Sequence, residues 1–545
     1  MKTETHVVLV PFVAFGHMMP FYELSLVLAK AGIRVSYVST PRNIQRLPQL
    51  PPELSSLVTF VPIPLPSLGS NLLPEGAEAT VDITADKMGH LKAAFDLLKQ
   101  PFKQFVAEKS PDWIVTDAIC SWTVDVAEEC HVPAVIFFPF TAATRVFVGP
   151  PEYLVGDAQR RVRSSPEDLT SPPSWVSFRS SVAFRLYEAI GFFTGLNTRN
   201  ASGITDAERV VKSLGGCRAV AIRSCREFEG EYLDLFEKII GKPAIPVGLL
   251  LPAKPDKTRI AAADDGAWSK IFEWLDEQKP KSVVFVGFGS ECKLTRDQTY
   301  EIASGLESSE LPFLWALRKP SWASDDLDAL PPNFNCRISG RGKVCIGWAP
   351  QIEILAHPSI GGSLFHAGWG SVIETLQFGH CMVVLPQIFD QPLNARLLVE
   401  KGLAIEVKRG DDGSFNGNDI ARCLRKAMIS EEGDEMRAQV KKAAEIFGDR
   451  KLHEEYVAGF VEYLKTEKSG VVVKYIAAVI LYGTQIIGSF ETSLALSLEE
   501  LKVYRIRYYL NLVGYGRLGV GLNPPSILNL AFMLSVNCSS LISKA

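Results

Sequence analysis

Short apolar, β-branched runs alternate with helical stretches along most of this chain. The pattern begins with an apolar run at 6–10, continues with a helical stretch at 21–32 and returns to an apolar run at 33–39. Strands without polar alternation are typical of sheets that helices cover on both faces. Strand–helix–strand units of this kind form parallel sheets. We therefore predict an α/β fold.

The alternation forms two series, which predict two domains. The first series adds strands at 112–117, 133–140 and 218–224, and the second has strands at 282–288, 313–318, 343–348, 361–365, 381–386 and 404–408, with helices from 419 and at 435–448. A chain of 545 residues also exceeds the size at which one core stops growing, about 250–300 residues. The stretch 251–266, rich in Pro, Ala, Lys and Asp, breaks the periodicity and predicts a linker. We assign 1–245 to an N-terminal domain, 246–266 to the linker and 267–468 to a C-terminal domain.

Residues 469–545 differ in character from the rest of the chain, because no strand or helix series extends into them. We expect an atypical C-terminal extension that is disordered or comes from a mispredicted reading frame. Its apolar stretch at 475–490 is shorter than the roughly 20 residues that span a bilayer. Thr484 and Gln485 interrupt that stretch, so a membrane anchor is not expected.

Composition narrows the classes of partner. With 57 basic and 61 acidic residues and a net charge of −4, the chain has no positive surplus for nucleic acid. The ten cysteines form no CxxC pair, which favours reduced thiols in a reducing compartment. The apolar run that ends at Pro11 is too short for a signal peptide. We expect a cytoplasmic, monomeric protein with small-molecule ligands.

The stretch FHAGWGSVIE at 365–374 predicts an anion site directly after the strand at 361–365. Gly368 and Gly370 let the backbone approach a ligand, and a helix that begins near Ser371 presents unpaired N–H groups. His366, at the end of the strand, can donate a hydrogen bond to a phosphate oxygen. Ser371 and Glu374 also satisfy the S-x-x-E capping box, so a purely structural role for Glu374 is the alternative.

A candidate base lies in the N-terminal domain. His17 is placed in a loop after the first strand, and histidine titrates near working pH, as removal of a hydroxyl proton requires. Asp117 ends the strand at 112–117. We expect its carboxylate to bind the other ring nitrogen and fix the tautomer.

The stretch 348–391 resembles the signature box of the plant secondary-product glycosyltransferases, the UDP-sugar-dependent enzymes of glycosyltransferase family 1. The similarity extends over about residues 5–467 and includes VVFVGFGS at 283–290, FLWALR at 313–318 and IFGDRKLHEEYV at 446–457. The resemblance implies the GT-B fold, in which two Rossmann-like domains face each other across a cleft. It also implies inverting transfer of a hexosyl group from a UDP-sugar to a small-molecule acceptor.

The resemblance assigns roles to matching positions from the uracil end of the donor to its sugar. These are Trp348, Ala349 and Gln351 at the uracil, Glu374 at the ribose, Ser290, His366, Gly370 and Ser371 at the diphosphate, and Thr141, Trp369, Asp390 and Gln391 at the sugar. His17 and Asp117 match the catalytic dyad of the family. The UDP-sugar is a co-substrate, and no cofactor or metal is expected. The D-x-D sequence formed by Asp326, Leu327 and Asp328 lies in a polar loop.

Two departures from the common box matter. Gly370 stands where the family usually has an Asn that reaches the phosphates, and His380 is expected to be a surface or packing residue. These departures resemble a subgroup that glycosylates the sugar of flavonoid or terpenoid glycosides, some members with UDP-rhamnose. The donor, glucose or rhamnose, stays open.

Other functions on the same scaffold also stay open. A non-hydrolysing UDP-sugar epimerase and a non-catalytic UDP-sugar-binding protein are the alternatives. A nicotinamide-dependent oxidoreductase is disfavoured, because no G-x-G-x-x-G follows a predicted strand.

Overall fold

The computed structural model describes residues 4–69, 71–155, 163–252, 267–326 and 328–467. Within them the strands are β1 (His6–Val10), β2 (Arg34–Ser39), β3 (Val58–Pro62), β4 (Trp113–Thr116), β5 (Ala134–Phe138), β6 (Ala219–Ile222), β7 (Ala244–Pro246), β8 (Val283–Gly287), β9 (Phe313–Leu317), β10 (Gly342–Ile346), β11 (Ile360–Phe365), β12 (Cys381–Val384) and β13 (Ala404–Glu406). The predicted extension at 469–545 lies outside the described residues, as does most of the predicted linker.

The helices that connect these strands are α1 (Phe15–Lys30), α2 (Pro41–Gln45), α3 (Met88–Asp96), α4 (Lys99–Lys109), α5 (Trp122–Glu129), α6 (Ala142–Val148), α7 (Pro151–Leu154), α8 (Leu186–Asn197), α9 (Asp206–Gly216), α10 (Arg226–Ile240), α11 (Ala267–Asp276), α12 (Arg296–Ser309), α13 (Phe334–Arg337), α14 (Gln351–Leu355), α15 (Trp369–Leu376), α16 (Gln391–Glu400), α17 (Gly417–Met428) and α18 (Asp434–Phe447). A last helix, α19, covers 450–467. Short 3₁₀ turns lie at Pro52–Leu54, Thr80–Asp82, Ala85–Lys87, Glu167–Leu169 and Glu431–Gly433.

Each domain is built on one parallel sheet. The N-terminal sheet has the order β3-β2-β1-β4-β5-β6-β7, and the C-terminal sheet has the order β10-β9-β8-β11-β12-β13. Both orders reverse direction beside the first strand of the domain, between β1 and β4 and between β8 and β11. This is the switch point at which Rossmann-like sheets bind ligands beyond the carboxyl ends of their strands. The predicted α/β architecture of two Rossmann-like domains is confirmed.

The sheets are buried on both faces, as the continuous apolar runs predicted. In β1, Val7 and Leu9 belong to one buried apolar cluster while Val8 and Val10 belong to another. This follows from the alternation of side chains between the faces of a strand. All the predicted strands are present. The strands β3 and β7, which were not predicted, lie at the two edges of the N-terminal sheet, where Pro62 and Pro246 are tolerated because an edge strand leaves backbone groups unpaired.

The predicted boundaries of the domains need two corrections. Strand β7 pairs with β6, so the N-terminal domain continues past residue 245. Helix α19 does not belong to the C-terminal core, because Phe460 and Leu464 pack in the same apolar cluster as β1. The Trp113 indole N–H also donates to the Leu464 carbonyl at 2.9 Å. The chain therefore returns to the N-terminal domain in its last described helix.

Three predictions about other features can be compared with the described residues. Their nine cysteines are all unpaired, in line with the predicted reduced thiols. None of the helices within these ranges combines the length and the apolar character that crossing a bilayer requires. His380 is a packing residue and not a surface residue, because it is 1% exposed and its ring stacks on Phe378.

Candidate active site

His17 and Asp117 form a hydrogen-bonded pair at the carboxyl ends of β1 and β4. The Nδ1 atom of His17 lies 2.5 Å from Oδ2 of Asp117, and Oδ1 of Asp117 accepts from the Ile119 N–H at 2.9 Å. The side chains are 15% and 2% exposed. Phe12 and Phe140 contact the imidazole edge-on at ring separations of 5.7 and 5.1 Å, which holds its orientation.

The structure corrects the local setting of His17. It lies in the first turn of α1, and not in a loop, because the helix begins at Phe15 and includes Pro20. Proline is unfavourable inside helices, and the sequence pattern therefore predicted that the helix begins after Pro20. The backbone N–H groups of His17 and Met18 both donate to the Ala14 carbonyl, which shows that the turn is helical before Pro20 is reached.

Charges around His17 favour its protonated form. Burial of the imidazole opposes protonation, but the charge of Asp117 and the hydrogen bond to it outweigh burial, so the pKa of His17 is raised. Asp390 and Glu291 of the C-terminal domain add to this effect. The Glu291 carboxylate also accepts a hydrogen bond from the Phe15 N–H, so the carboxyl ends of the two sheets lie close together beside His17. The Nε2 atom of His17 makes no hydrogen bond to any residue in the described ranges.

The turn between β11 and α15 surrounds His366 with glycines. A Cβ atom on Gly289 would lie 2.8 Å from the imidazole, and one on Gly368 would lie 2.6 Å from it, so both positions must stay bare. Burial lowers the pKa of His366 to about 4, which keeps the ring neutral. Its buried Nδ1 has no hydrogen-bond partner among the described residues. His366 is therefore placed to meet a ligand.

The capping-box interpretation of Ser371 and Glu374 is wrong. Helix α15 begins at Trp369 with Gly368 as its N-cap, so Ser371 is the third helical residue and not the cap. Glu374 instead accepts a hydrogen bond from Nε2 of Gln351 at 2.5 Å. Burial raises the pKa of Glu374, and Gln351 opposes this rise. Residues assigned to the uracil edge and the ribose thus contact each other.

Trp348 extends from the loop after β10 and is 70% exposed. Its ring contacts Trp268 edge-on, with the ring centroids 6.5 Å apart, which leaves a face of the indole open to a planar ligand. The neighbouring Ala349 packs against the apolar cluster on one face of the C-terminal sheet. Ser290, after β8, accepts a hydrogen bond on its carbonyl from the Arg318 guanidinium.

The sugar-end residues lie at the start of α16, where Asp390 is the N-cap. Burial raises the pKa of Asp390, and the hydrogen bond from Asn394 opposes the rise. The side-chain oxygen of Gln391 accepts from the backbone N–H groups of Gln387 and Ile388 at 3.0 Å. That oxygen is therefore occupied, and the amide nitrogen is the group left to meet a sugar hydroxyl.

Thr141 and Trp369 connect the two domains. The buried Thr141 hydroxyl donates to Oδ1 of Asn394 at 3.0 Å, and its assignment to the donor sugar stays a prediction. The Trp369 indole N–H donates to the Arg223 carbonyl at 2.7 Å, and its ring stacks on Phe228. The Trp369 indole N–H is therefore engaged by the N-terminal domain, and the assignment of Trp369 to the donor sugar stays a prediction.

Sequence reasoning missed residues that join the domains near the cleft. Glu291 of the C-terminal domain accepts hydrogen bonds from the Phe15 N–H at 3.3 Å and from the Thr80 hydroxyl at 2.8 Å. Asn394 contacts Thr141 and Asp390. Nothing in the local sequence marks these residues, because the partners that they contact in the N-terminal domain lie more than two hundred positions away in the chain.

The described ranges contain no cluster of three or more His, Cys, Asp or Glu side chains that could hold a metal ion. In the D-x-D loop, Leu327 lies outside these ranges. Asp328 there accepts hydrogen bonds from the N–H and the hydroxyl of Ser324.

Comparison with known proteins agrees with this geometry. The family described as UDP-glucoronosyl and UDP-glucosyl transferase matches residues 250–454. UDP-glycosyltransferase 91C1 of Arabidopsis thaliana is 40% identical over 465 residues, which cover 85% of this chain and 97% of that protein. Soyasaponin III rhamnosyltransferase of Glycine max is 36% identical over 461 residues, which cover 84% of this chain and 95% of that protein.

Among solved structures, this chain is similar to UGT73P12 of Glycyrrhiza uralensis complexed with glycyrrhetinic acid 3-O-monoglucuronide. The TM-score is 0.70 at 24% sequence identity, and the match covers 88% of this chain and 100% of that chain. This likeness confirms the GT-B fold. The two relatives named above are each more than one third identical to this chain over nearly their whole length. The chain therefore belongs to the UDP-glycosyltransferases of family 1 and is a glycosyltransferase.

Proposed function

We propose that this glycosyltransferase moves rhamnose or glucose from its UDP-sugar to a hydroxyl on the sugar of a flavonoid or terpenoid glycoside. The observation that carries the proposal is the His17–Asp117 pair, with Nδ1 and Oδ2 2.5 Å apart in a cleft that Asp390 of the other domain also faces. The similarity to the Glycine max relative, which is named soyasaponin III rhamnosyltransferase, supports rhamnose as a donor.

In the proposed reaction, His17 acts as the general base. Its Nδ1 is held by Asp117, so Nε2 is the atom that takes the proton from the acceptor hydroxyl. The acceptor oxygen then attacks C1 of the sugar as the bond from C1 to the UDP oxygen breaks, which inverts the anomeric centre. The carboxylate of Asp117 stabilises the imidazolium that forms. The N–H groups at the start of α15 stabilise the negative charge that develops on the departing diphosphate.

The UDP part of the donor would run along the C-terminal domain. Trp348 offers an exposed ring face for the uracil, and aromatic rings stack well on planar groups. Glu374 would accept hydrogen bonds from the ribose hydroxyls. His366 would donate to the diphosphate as a neutral imidazole, since its pKa is about 4. No step in this scheme uses a metal ion.

A matrix of donors and acceptors tests the proposal. UDP-rhamnose, UDP-glucose, UDP-galactose and UDP-xylose would each be incubated with flavonoid and triterpenoid monoglycosides, and products read by mass shift. We expect release of UDP only when an acceptor is present. Conversion of one UDP-sugar into another without release of UDP would instead support the epimerase alternative. Equal release of UDP with and without an acceptor would contradict the proposal, because the sugar would then pass to water.

The variant His17→Ala tests the base. We expect the turnover number to fall by about 10²–10⁴-fold, the usual contribution of a general base. The affinity for UDP, measured by titration calorimetry, should stay close to that of the wild type, because His17 lies in the opposite domain from the UDP contacts. Near-normal turnover would remove His17 from the base role.

A further inference from the structure

Arg223 crosses from the N-terminal domain toward the first turn of α15. It follows strand β6, and its backbone is held from both sides: its N–H donates to the Phe138 carbonyl at 3.0 Å, and its carbonyl accepts from the Trp369 indole at 2.7 Å. Its Nη1 atom lies 3.7 Å from the position that a Cβ atom on Gly370 would take. The guanidinium is therefore fixed beside the helix start to which we assign the diphosphate.

The charge of Arg223 is buried without an ion-pair partner. The side chain is 5% exposed, and its Nε and Nη2 atoms donate to the carbonyls of Leu249 and Leu250 at 2.7 and 3.1 Å. Nη1 makes no hydrogen bond to the residues that the structure describes, and no carboxylate in those ranges lies within 4.0 Å of the guanidinium. Nη1 is therefore a charged donor without a protein acceptor among the described residues, and an anionic ligand would supply that acceptor.

Longer-range charges do not change that conclusion. Burial lowers the pKa of Arg223 to about 10, while Glu374 and Glu23 act in the opposite direction. The guanidinium thus stays charged at neutral pH. The Glu374 carboxylate accepts a hydrogen bond from Gln351 and does not contact Arg223 directly. Its negative charge acts on the guanidinium only at a distance.

Gly370 keeps open the space between Arg223 and α15. Its φ angle is not among the positive values of this chain, so its backbone conformation does not require glycine. A Cβ atom there would have only Arg223 within 4 Å. What glycine provides at this position is room for a ligand atom between the guanidinium and the helix.

The opposite wall of this space also consists of hydrogen-bond donors. The first N–H groups of α15 have no partner within the helix, and the helix dipole places partial positive charge there. Nδ1 of His366, buried beside this turn, has no hydrogen-bond partner among the described residues. The Arg223 guanidinium of one domain and the first N–H groups of α15 in the other thus both lie next to Gly370, and anionic oxygens satisfy such donors.

We propose that Arg223 is a donor-binding residue that donates from Nη1 to the diphosphate of the UDP-sugar across the space left by Gly370. The proposal rests on the function proposed above, and it extends the binding site to the N-terminal domain. Because the charge comes from the domain opposite α15, a bound diphosphate would hold the two domains together. Uridine, which lacks the diphosphate, would not.

The test compares UDP with uridine on the full chain. In the variant Arg223→Gln, we expect the affinity for UDP to fall by about ten- to a hundredfold, as for loss of a charge-assisted hydrogen bond. The affinity for uridine, measured by the same calorimetric titration, should not change. An unchanged affinity for UDP would overturn the proposal. An equal loss for both ligands would also overturn it, because Arg223 would then support the fold or the ribose site.

A second variant covers the case in which Arg223→Gln does not fold. Gly370→Leu fills the space and leaves the hydrogen bonds of Arg223 to Leu249 and Leu250 intact. We expect an unchanged or higher melting temperature and at least about tenfold weaker UDP binding. Wild-type affinity for UDP in Gly370→Leu would contradict the proposal.

The matched control is Arg226→Gln, at a surface arginine that is 49% exposed and pairs with Asp234 at 2.7 Å. It should bind UDP as the wild type does. If the wild-type chain itself fails to bind UDP, the proposed function fails. If the wild type binds UDP and Arg223→Gln binds it equally well, only the assignment of Arg223 fails.

Discussion

At the scale of single residues, the candidate base illustrates how burial and three carboxylates, those of Asp117, Asp390 and Glu291, set the pKa of His17. Asp117 is bonded to His17 within the N-terminal domain, while Asp390 reaches it from across the cleft. Residue type and position at the end of a strand, together with the resemblance to the family's dyad, led to the selection of His17 and Asp117 from the sequence. The contribution of Asp390 was not predictable, since it depends on how the domains pack.

The variant Asp117→Asn should move the acid limb of the pH–rate profile to lower pH. Asp117 raises the pKa of His17, so removal of its charge lowers that pKa, and a general base works only when unprotonated. We also expect the turnover number to fall by at least about 10²-fold, because the tautomer is no longer fixed. The measurement is kcat/KM against pH.

Asp125→Asn is the control for this change in charge, since the Asp125 carboxylate pairs with Lys99 and Lys212 on the surface. Asp125→Asn should have the same pH–rate profile as the wild type. An acid limb that stays in place in Asp117→Asn would show that Asp117 does not set the pKa of the base.

Trp348 gives a second prediction at this scale. Because the side chain is 70% exposed, Trp348→Ala should leave the melting temperature nearly unchanged. Loss of a stacked base costs about 1–3 kcal/mol, so we expect UDP to bind about five- to 150-fold more weakly. Trp348→Phe, which keeps a smaller ring, should recover part of the affinity. Calorimetric titration with UDP measures these affinities. If the alanine variant and the wild type bind UDP equally well, Trp348 does not stack on the uracil.

At the scale of elements, the hydrogen bonds of Asn394 fix the position of α16. Asn394 donates from Nδ2 to the Ala367 carbonyl at 3.0 Å and to Oδ2 of Asp390 at 2.7 Å, while its Oδ1 accepts from the Thr141 hydroxyl. Ala367 has a φ angle of 62°, a left-handed conformation that non-glycine residues rarely adopt. Asn394 therefore stabilises three features: the strained turn at Ala367, the candidate sugar contact Asp390 and the contact with Thr141 of the other domain.

We expect Asn394→Ala to lower the turnover number more than the affinity for UDP. Asp390 would lose the bond that orients it, whereas the uracil end of the site has no contact with Asn394. Leaving buried polar groups unpaired should also cost about 1–3 kcal/mol of stability. Steady-state kinetics and UDP titration separate the two effects. Thr141→Val is the comparison variant: it removes the bond between the domains and the N-cap of α6 but leaves the bond from Asn394 to Asp390. A normal turnover number in Asn394→Ala would contradict the expectation.

At the scale of the whole chain from 4 to 467, a buried ion network joins the two domains away from the candidate active site. Arg396 on α16 lies 2.8 Å from Glu188 on α8 and 2.7 Å from Glu406 on β13. The three side chains are 12%, 2% and 9% exposed. Arg185 also pairs with Glu406 at 3.1 Å. Removal of one member leaves buried charges without compensation.

The variant Arg396→Met should therefore destabilise the protein by about 3–5 kcal/mol, the usual cost of breaking a buried ion pair. Thermal melts would measure the loss. Arg226→Met, at an exposed pair with Asp234, is the control and should change stability by about 0–1 kcal/mol. Equal melting temperatures of the two variants would show that the network does not hold the domains together.

The sequence by itself determined the elements and most of the chemistry of this protein. Apolar runs specify buried strands through local alternation, so β1 and β11 were predicted within a residue of their bounds. His17 was proposed from its residue type and its place after a strand, whereas the role of Glu374 came from the resemblance to the family. Such signals are contained in a few neighbouring residues, and they survive without knowledge of the fold.

Only the tertiary structure decided which residues meet. The contacts of Asn394 with Thr141, of Glu291 with Thr80 and of Arg223 with the space at Gly370 join segments that are far apart in the chain. Helix α19 likewise returns to the N-terminal core through contacts that no periodicity encodes. The physical reason is that these contacts depend on the packing of one domain on the other, whereas sequence patterns report the burial of each element separately.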